Sequence, residues 1–176
     1  MKKILLVGAI ALASATLATS ANASDGTITF TGKVVGTTCT INGGTSDFTV
    51  TLPTVSTSAL ASTGAVAGRT PFQINLTGCQ GEESIVSVHF ESGSLTEDGK
   101  LIVSPGDDAA ENVVVGLLNN QHNRIVVGDK PGNQGSQAVT IANGAATLNY
   151  FAEYEAVGSV VAGDVNTQVL YSLIYQ

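Results

Sequence analysis

The chain has 176 residues, of which 12% are charged and 20 are glycine, and this composition excludes a coiled coil, a collagen-like repeat and a disordered chain. The length predicts a single domain. With 14 acidic residues against 7 basic ones, the net charge of −7 argues against a surface that follows phosphates, so we expect no nucleic acid among the partners.

The amino terminus has the pattern of a secretory signal peptide. Lys2 and Lys3 precede an apolar run from Ile4 to Ala18, and Ala21-Asn22-Ala23 forms an A-x-A cleavage site. The run is too short to span a bilayer comfortably, and no stop-transfer charges follow it, which disfavours a permanent membrane anchor. We therefore predict that residues 1–23 are removed on export, leaving 5 basic and 14 acidic residues and a net charge of −9.

The mature chain alternates apolar and polar residues in short runs, which is the period of β-strands, and it has little helical periodicity. In chain order, the apolar positions are Ile28, Phe30, Gly32 and Val34; Phe48, Val50 and Leu52; Phe72, Ile74 and Leu76; Val86, Val88 and Phe90; Val113, Val115 and Leu117; Ile125–Val127; Val139–Ile141; Leu148, Tyr150, Ala152 and Tyr154; and Val169, Tyr171, Leu173 and Tyr175. Residues 59–67 fit either a helical turn or an irregular strand. Turn sequences such as Asn42-Gly43-Gly44, Asp98-Gly99 and Asn143-Gly144 separate the runs. Short strands divided in this way predict one β-sandwich domain.

The mature chain keeps two cysteines, Cys39 and Cys79. An even number in an exported chain favours a disulfide over free thiols, and closing a loop of about 40 residues stabilises a fold by roughly 4 kcal/mol in the chain-entropy model. A metal or redox pair is the poorer alternative, because the sequence has no C-x-x-C and neither His89 nor His122 has a neighbour at ligand spacing. We expect no metal and no cofactor.

Candidates for catalysis are weak. Nucleophilic catalysis needs a nucleophile, a base and an orienting acid, and the sequence contains no G-x-S-x-G motif. His89 falls on the strand face opposite Val86, Val88 and Phe90, which predicts a solvated side chain, and His122 lies in a polar run that predicts a loop. Gly64–Thr70 differs from a phosphate-binding loop in its glycine spacing and in having Arg69 where that motif has Lys. We expect no enzymatic activity.

Both ends of the mature chain have strand-like sequences that are apolar on one face. At the amino end, Gly26, Ile28, Phe30 and Gly32 form the pattern GxIxFxG, although the tail of an exported domain is usually polar and frayed. At the carboxyl end, apolar residues alternate from Val169 to Tyr175. No short turn pairs the two segments with each other, and the pattern of the first predicts that it is buried.

These residues resemble those of chaperone–usher pilus subunits, in the family of the type 1 fimbrial major pilins of Gram-negative bacteria. The resemblance covers the whole chain. It rests on the signal peptide, on GxIxFxG leading through residues 33–35 into Cys39, on the second cysteine at the end of residues 72–79, and on the ending in residues 171–176. Pilins of this family typically carry a penultimate Tyr and a Gly fourteenth from the end, and this chain has Tyr175 and Gly163 there.

The resemblance implies an all-β fold: an incomplete immunoglobulin-like sandwich that lacks its last strand and is completed in trans by a donor strand. It divides the chain into a signal peptide (residues 1–23), an amino-terminal donor-strand extension (24–34) and a pilin domain (35–176). In such systems a periplasmic chaperone first lends the missing strand. An outer-membrane usher then exchanges it for the extension of the next copy, and tip or adaptor subunits join the same surface fimbria, which supports adhesion and biofilm formation.

The resemblance also assigns roles to individual residues. The donor strand would contain Gly26, Ile28, Phe30 and Gly32. The groove wall and the surface recognised by the chaperone would contain Gly163, Val169, Tyr171, Leu173, Tyr175 and Gln176. Extended backbone presents alternate side chains to one face, so Ile28 and Phe30 would enter a groove while Thr29 and Thr31 face outward.

The composition and length of the chain disfavour two other classes of function. A monomeric secreted carbohydrate-binding or adhesin module is the alternative, but a mature chain of 153 residues has no room for a lectin domain in front of a pilin domain. Its aromatic content of 5%, with no Trp, also disfavours a sugar-stacking platform. A small hydrolase lacks a catalytic constellation. The family resemblance favours a major subunit over a minor adaptor.

Overall fold

The described part of the chain is built mainly from β-strands. The computed structural model describes residues 28–32, 34, 36, 38–80, 84–91 and 93–176. The chain divides into two units, residues 1–33 and 34–176, and the second holds every strand found in the described residues. These are β1 (Thr38–Ile41), β2 (Val66–Gln80), β3 (Ile85–Phe90), β4 (Leu101–Ile102), β5 (Glu111–Leu118), β6 (Arg124–Ile125), β7 (Ala138–Thr140), β8 (Ala146–Val161) and β9 (Tyr171–Tyr175). The predicted signal peptide and Gly26 lie outside the described residues.

The strands form two antiparallel sheets. The larger has the order β1-β2-β8-β5-β4, with β6 also paired to β5, and the smaller has the order β7-β3-β9. Their inward side chains meet in one hydrophobic cluster. This arrangement confirms the predicted β-sandwich. The described residues form no helix of the length and apolarity that a membrane crossing requires.

The core follows the alternation predicted from the sequence. Its buried positions include Ile74 and Leu76 in β2, Val86, Val88 and Phe90 in β3, Val113, Val115 and Leu117 in β5, and Leu148, Tyr150 and Ala152 in β8. Tyr150 lies at the centre, with its ring 5.3 Å from that of Phe90 and its hydroxyl 3.1 Å from that of Ser136. Burial raises the pKa of this phenol to about 12. Each large apolar side chain buried here stabilises the fold by roughly 1.5 to 3 kcal/mol.

Three predictions of local structure are corrected or completed. Residues 48–52 were predicted as a strand, but the structure assigns none there, because no other described strand pairs with them. In the ambiguous stretch 59–67, residues 59 and 60 end a 3₁₀ turn (Thr57–Leu60), and residues 66 and 67 begin β2. Residues 28–32, from the first predicted run, are likewise assigned to no strand.

The two histidines differ in burial. His122 lies in an exposed turn, as predicted, with its ring 4.5 Å from that of Phe151. The prediction of a solvated His89 was wrong. Its side chain is half-buried, and its Nδ1 is buried without a hydrogen-bond partner among the described residues. The alternation placed His89 correctly on the face opposite Val88, but it carried no information about what covers that face.

An ionic cluster that the sequence analysis missed lies on the outer face of the larger sheet. Glu153 and Glu155, two residues apart in β8, are both buried. Arg69 Nε lies 2.7 Å from Glu153, Lys100 Nζ lies 2.6 Å from Glu155, and Arg124 contacts both carboxylates. Glu153 and Glu155 occupy polar positions in the alternation of β8, so the sequence pattern gave no sign that they are buried, and buried carboxylates need partners.

This cluster fixes the protonation of its lysine. Burial by itself lowers the pKa of Lys100, but hydrogen bonds to Asp98 and Glu155 outweigh that effect and raise the pKa above its usual value. The hydrogen bonds from Lys100 and Thr96 lower the pKa of Asp98. The cluster contains Arg69, Lys100 and Arg124, which are three of the five cationic side chains of the predicted mature chain, and each of them pairs with a carboxylate there.

Candidate functional site: an apolar groove between two extended segments

A groove of about 970 Å³ lies where the two sheets meet. One wall is residues 46–52, which we call the amino-proximal wall. The other is residues 165–173, which end in β9 and which we call the carboxyl-proximal wall. Each wall is a run of consecutive residues, so the groove is lined by one stretch of chain on each side.

The floor of the groove is the hydrophobic core itself. It is formed by inward side chains from both sheets, namely Phe72, Ile74, Phe90, Leu101, Val115, Leu117, Ala152 and Tyr154. Most of these are already buried, and Ile74 has no exposed surface. A groove that reaches down to residues of this kind presents an apolar surface to whatever enters it, and that surface favours apolar side chains.

The amino-proximal wall has the face pattern of a strand without the pairing of one. Val50 and Leu52 are half-buried, whereas Thr49 and Thr51 are exposed. Within the described ranges, residues 45–55 make no backbone–backbone hydrogen bond to another segment. Unpaired extended backbone of this kind is a template for a further strand.

The carboxyl-proximal wall is paired along one edge. Tyr171 to Tyr175 form β9, whose partner is β3, with Leu173 opposite Val88. β9 is the last strand of its sheet among the described strands, so its second edge faces the groove. The predicted wall residues Val169, Tyr171 and Leu173 line the cavity.

Aromatic rings line one end of the groove. Phe48 lies with its ring 6.3 Å from those of Phe72 and Tyr171, and Phe72 lies 5.5 Å from Tyr150. The Tyr171 hydroxyl donates a hydrogen bond of 2.6 Å to the backbone carbonyl of Ser46. Burial, together with the charge of Asp47, raises the pKa of Tyr171. This phenol is therefore protonated at neutral pH and can donate.

Three residues predicted for the groove wall and chaperone surface lie outside the lining of this cavity. Gly163 lines a second cavity of about 500 Å³, which shares Tyr154 and Val165 with the groove. Tyr175 is half-buried at the end of β9, and burial raises its pKa. Gln176 exchanges two backbone hydrogen bonds with Ile85 at 2.9 and 3.3 Å. A role in chaperone recognition stays a prediction for all three.

Gly163 has a packing role that the sequence did not reveal. A Cβ at this position would lie 2.5 Å from the Ala110 nitrogen and 2.5 Å from the Asp108 oxygen. Asp164 hydrogen-bonds to both of those residues through its backbone, at 2.9 and 2.7 Å. Only glycine allows the two backbones to approach this closely.

The predicted donor residues that the structure describes carry exposed apolar side chains. Ile28 is 80% exposed and Phe30 is 90% exposed. A Cβ at Gly32 would meet no atom within 4 Å. These residues belong to the unit that ends at residue 33.

The two cysteines form a disulfide, Cys39–Cys79, that joins β1 to β2. This pairing agrees with the prediction from an even cysteine count. In the described ranges, no three His, Cys, Asp or Glu side chains gather in a way that would hold a metal ion.

A comparison with protein families finds one family model that matches most of this chain. The family model described as "Type-1 fimbrial protein, A" matches residues 52–176, a range that includes the floor and the carboxyl-proximal wall of the groove.

The chain belongs to the type-1 fimbrial protein A family.

Curated relatives agree over nearly their whole length. The major fimbrial subunit SMF-1 of Stenotrophomonas maltophilia is 47% identical over 171 residues, which cover 93% of this chain and 99% of the relative. The F17 fimbrial protein of Escherichia coli is 39% identical over 184 residues, covering all of both chains. The type-1 fimbrial chain is accordingly a structural subunit of a surface fimbria and not an enzyme.

Solved structures share the fold. The P pilus rod subunit PapA covers 78% of this chain with a TM-score of 0.62 at 18% identity. A subunit in the structure of a chaperone–usher pilus covers 87% with a TM-score of 0.60 at 19% identity. The type-1 fimbrial chain therefore has the incomplete immunoglobulin-like fold of pilin subunits, as the sequence resemblance implied.

Proposed function

We propose that the groove binds an extended strand supplied by the amino-terminal segment of another copy, and that this step polymerises the fimbria. The single observation that carries the proposal is the groove itself, a cavity of about 970 Å³ floored by core residues between two extended walls. One wall lacks backbone partners in the described part of the chain, and the other presents the free edge of β9. A strand inserted between them pairs with both and covers the core.

The composition of the amino-terminal segment fits that role. Ile28 and Phe30 alternate with threonines, so an extended conformation directs both apolar side chains to the same face. Burying each of them contributes roughly 1.5 to 3 kcal/mol, and each ladder hydrogen bond adds about 0.5 to 1.5 kcal/mol net. A strand of about ten residues supplies on the order of 10 kcal/mol, enough for a stable joint between copies.

The same proposal extends to the boundaries and the partners. Residues 1–23 act as the signal peptide, 24–34 as the donor extension and 35–176 as the pilin domain. Before polymerisation, a periplasmic chaperone covers the groove and contacts the carboxyl end near Tyr175 and Gln176. An outer-membrane usher then exchanges the chaperone strand for the next copy's extension, and tip or adaptor subunits complete a fimbria used in adhesion and biofilm formation.

A pair of double variants tests the donor assignment. Ile28→Asp with Phe30→Asp places two charges in an apolar groove, and the burial of unpaired carboxylates costs several kcal/mol. We expect these cells to lose fimbriae by more than tenfold in electron micrographs and in detergent-resistant polymer ladders. The matched control is Thr29→Asp with Thr31→Asp, which adds the same charge to the outward face and leaves polymer largely intact.

Chaperone co-purification serves as the folding check, because the groove that the chaperone covers lies in residues 34–176 and is unchanged in both variants. Normal fimbriae from the first variant would refute the assignment. Equal loss from both pairs would mean that charge in the extension, rather than the face it occupies, is responsible.

A further inference from the structure

The two walls of the groove are joined by one side chain. Tyr171, in β9, reaches across and donates its hydroxyl hydrogen to the Ser46 carbonyl at 2.6 Å. Its ring also meets that of Phe48 edge-on, with centroids 6.3 Å apart. No other hydrogen bond among the described residues reaches residues 45–55.

The position of this contact matters because of what it occupies. The Ser46 carbonyl belongs to the wall whose backbone lacks partners, and an entering strand needs such carbonyls as acceptors for its own N–H groups. The phenol therefore occupies an acceptor that the strand would use. Because burial and the charge of Asp47 raise the pKa of the phenol, the donor is present throughout the neutral pH range.

We propose that Tyr171 is a latch that holds the amino-proximal wall against β9 in the lone subunit and must release before a strand enters. This inference rests on the proposed function of the groove. The latch stabilises the subunit before insertion and contributes nothing afterwards, so it slows association and leaves dissociation unchanged. Free copies consequently associate more slowly than they would without the hydrogen bond between Tyr171 and Ser46.

The size of the effect follows from the bond that is removed. A hydrogen bond of this type has a modest net contribution, and its loss changes a rate constant by about two- to tenfold when the bond is broken in the transition state. Tyr171→Phe removes the hydroxyl and keeps the ring, so the aromatic contact with Phe48 remains.

The test uses the full mature chain with Ile28→Asp and Phe30→Asp, so that its own extension does not compete. The probe is a fluorescently labelled synthetic peptide with the sequence of residues 24–35, and stopped-flow anisotropy gives its association and dissociation rate constants. We expect Tyr171→Phe to raise the association rate constant about two- to tenfold with the dissociation rate constant unchanged. Thr147→Val is the matched control, since it removes an exposed hydroxyl hydrogen bond to Asn75 on the outer face, and it leaves both rates unchanged.

The other possible results distinguish failure of the latch from failure of strand binding by the groove. Equal association rates for Tyr171 and Tyr171→Phe overturn the latch and leave strand binding by the groove standing. Faster dissociation with unchanged association also overturns it, because the hydroxyl would then be contacting the inserted strand. Failure of the peptide to bind the chain with Tyr171 intact overturns the proposed function of the groove as well.

Discussion

Gly163 provides a sharp test of the packing described above. Gly163→Ala introduces a Cβ 2.5 Å from two backbone atoms, and since neither is the end of a flexible side chain, the loop at residues 108–110 must move away. That movement weakens the two backbone hydrogen bonds that Asp164 makes. Each contributes about 0.5 to 1.5 kcal/mol net, and overpacking adds about 1 to 3 kcal/mol.

An alanine also restricts the unfolded chain, which offsets about 0.4 to 1 kcal/mol of this loss. We therefore expect Gly163→Ala to lower the free energy of unfolding by at least about 1 kcal/mol relative to the parent chain, and by at least about 2 kcal/mol relative to an alanine control that shares the restriction. Gly106→Ala is the matched control. It lies in the same loop region, and its added Cβ would meet nothing within 4 Å, so it should be neutral or slightly stabilising.

Equilibrium urea unfolding of the mature chain measures the effect. With a slope of about 2 kcal/mol per molar, the midpoint for Gly163→Ala should fall by about 1 M relative to Gly106→Ala, without a change in slope. Midpoints that agree within about 0.3 M would refute the packing argument. A stable Gly163→Ala variant that no longer co-purified with the chaperone would instead assign this glycine to recognition.

Two further predictions concern stability. Burial raises the pKa of Tyr150 to about 12, above the value of 10.0 for a free phenol. The protonated phenol therefore contributes to the free energy of unfolding in full below pH 10, and this contribution is lost as the pH rises from 10 to 12. Urea unfolding at a series of pH values measures this loss. Between pH 10 and 12, the free energy of unfolding of the parent chain should fall by up to about 1.4 kcal/mol per pH unit more than that of Tyr150→Phe. The same pH dependence in both chains would contradict the prediction. Replacing Cys39 and Cys79 together by Ser opens a loop with a sequence separation of 40, so the free energy of unfolding should fall by about 4 kcal/mol, as should that of the reduced parent chain. A loss under about 1 kcal/mol would contradict the entropic account.

The ionic cluster shows how a structural constraint can escape a sequence analysis. Gly116 lies opposite Glu153 in the pairing of β5 with β8, and the Arg124 guanidinium lies over it on the way to the two carboxylates. A side chain at position 116 would displace that guanidinium. The sequence contains all of these residues, but only the register between strands brings them together.

Much of the fold could be predicted from the sequence because it depends on local geometry. Extended backbone sends successive side chains to opposite faces, so alternation alone identified inward residues such as Ile74, Val88 and Leu117. With two cysteines in the mature chain, one intramolecular pairing is possible, and the structure has it. The carboxyl-terminal run Val169–Tyr175 was predicted as a strand, and its residues Tyr171–Tyr175 form one.

The groove depends on contacts between segments that are distant in the sequence, and the alternation of apolar and polar residues within a segment does not contain them. The sequence predicted residues 48–52 as a strand because it records the faces of a segment and not its partners. Whether an extended segment is paired depends on which edges remain free after distant strands have associated. That arrangement places the amino-proximal wall opposite β9, so that Tyr171 contacts Ser46. It also packs Gly163 against residues 108–110, outside the lining of the groove where the sequence had predicted it. The sequence by itself determined which side chains face inward, whereas the tertiary structure decided which backbone edges were left without a neighbour.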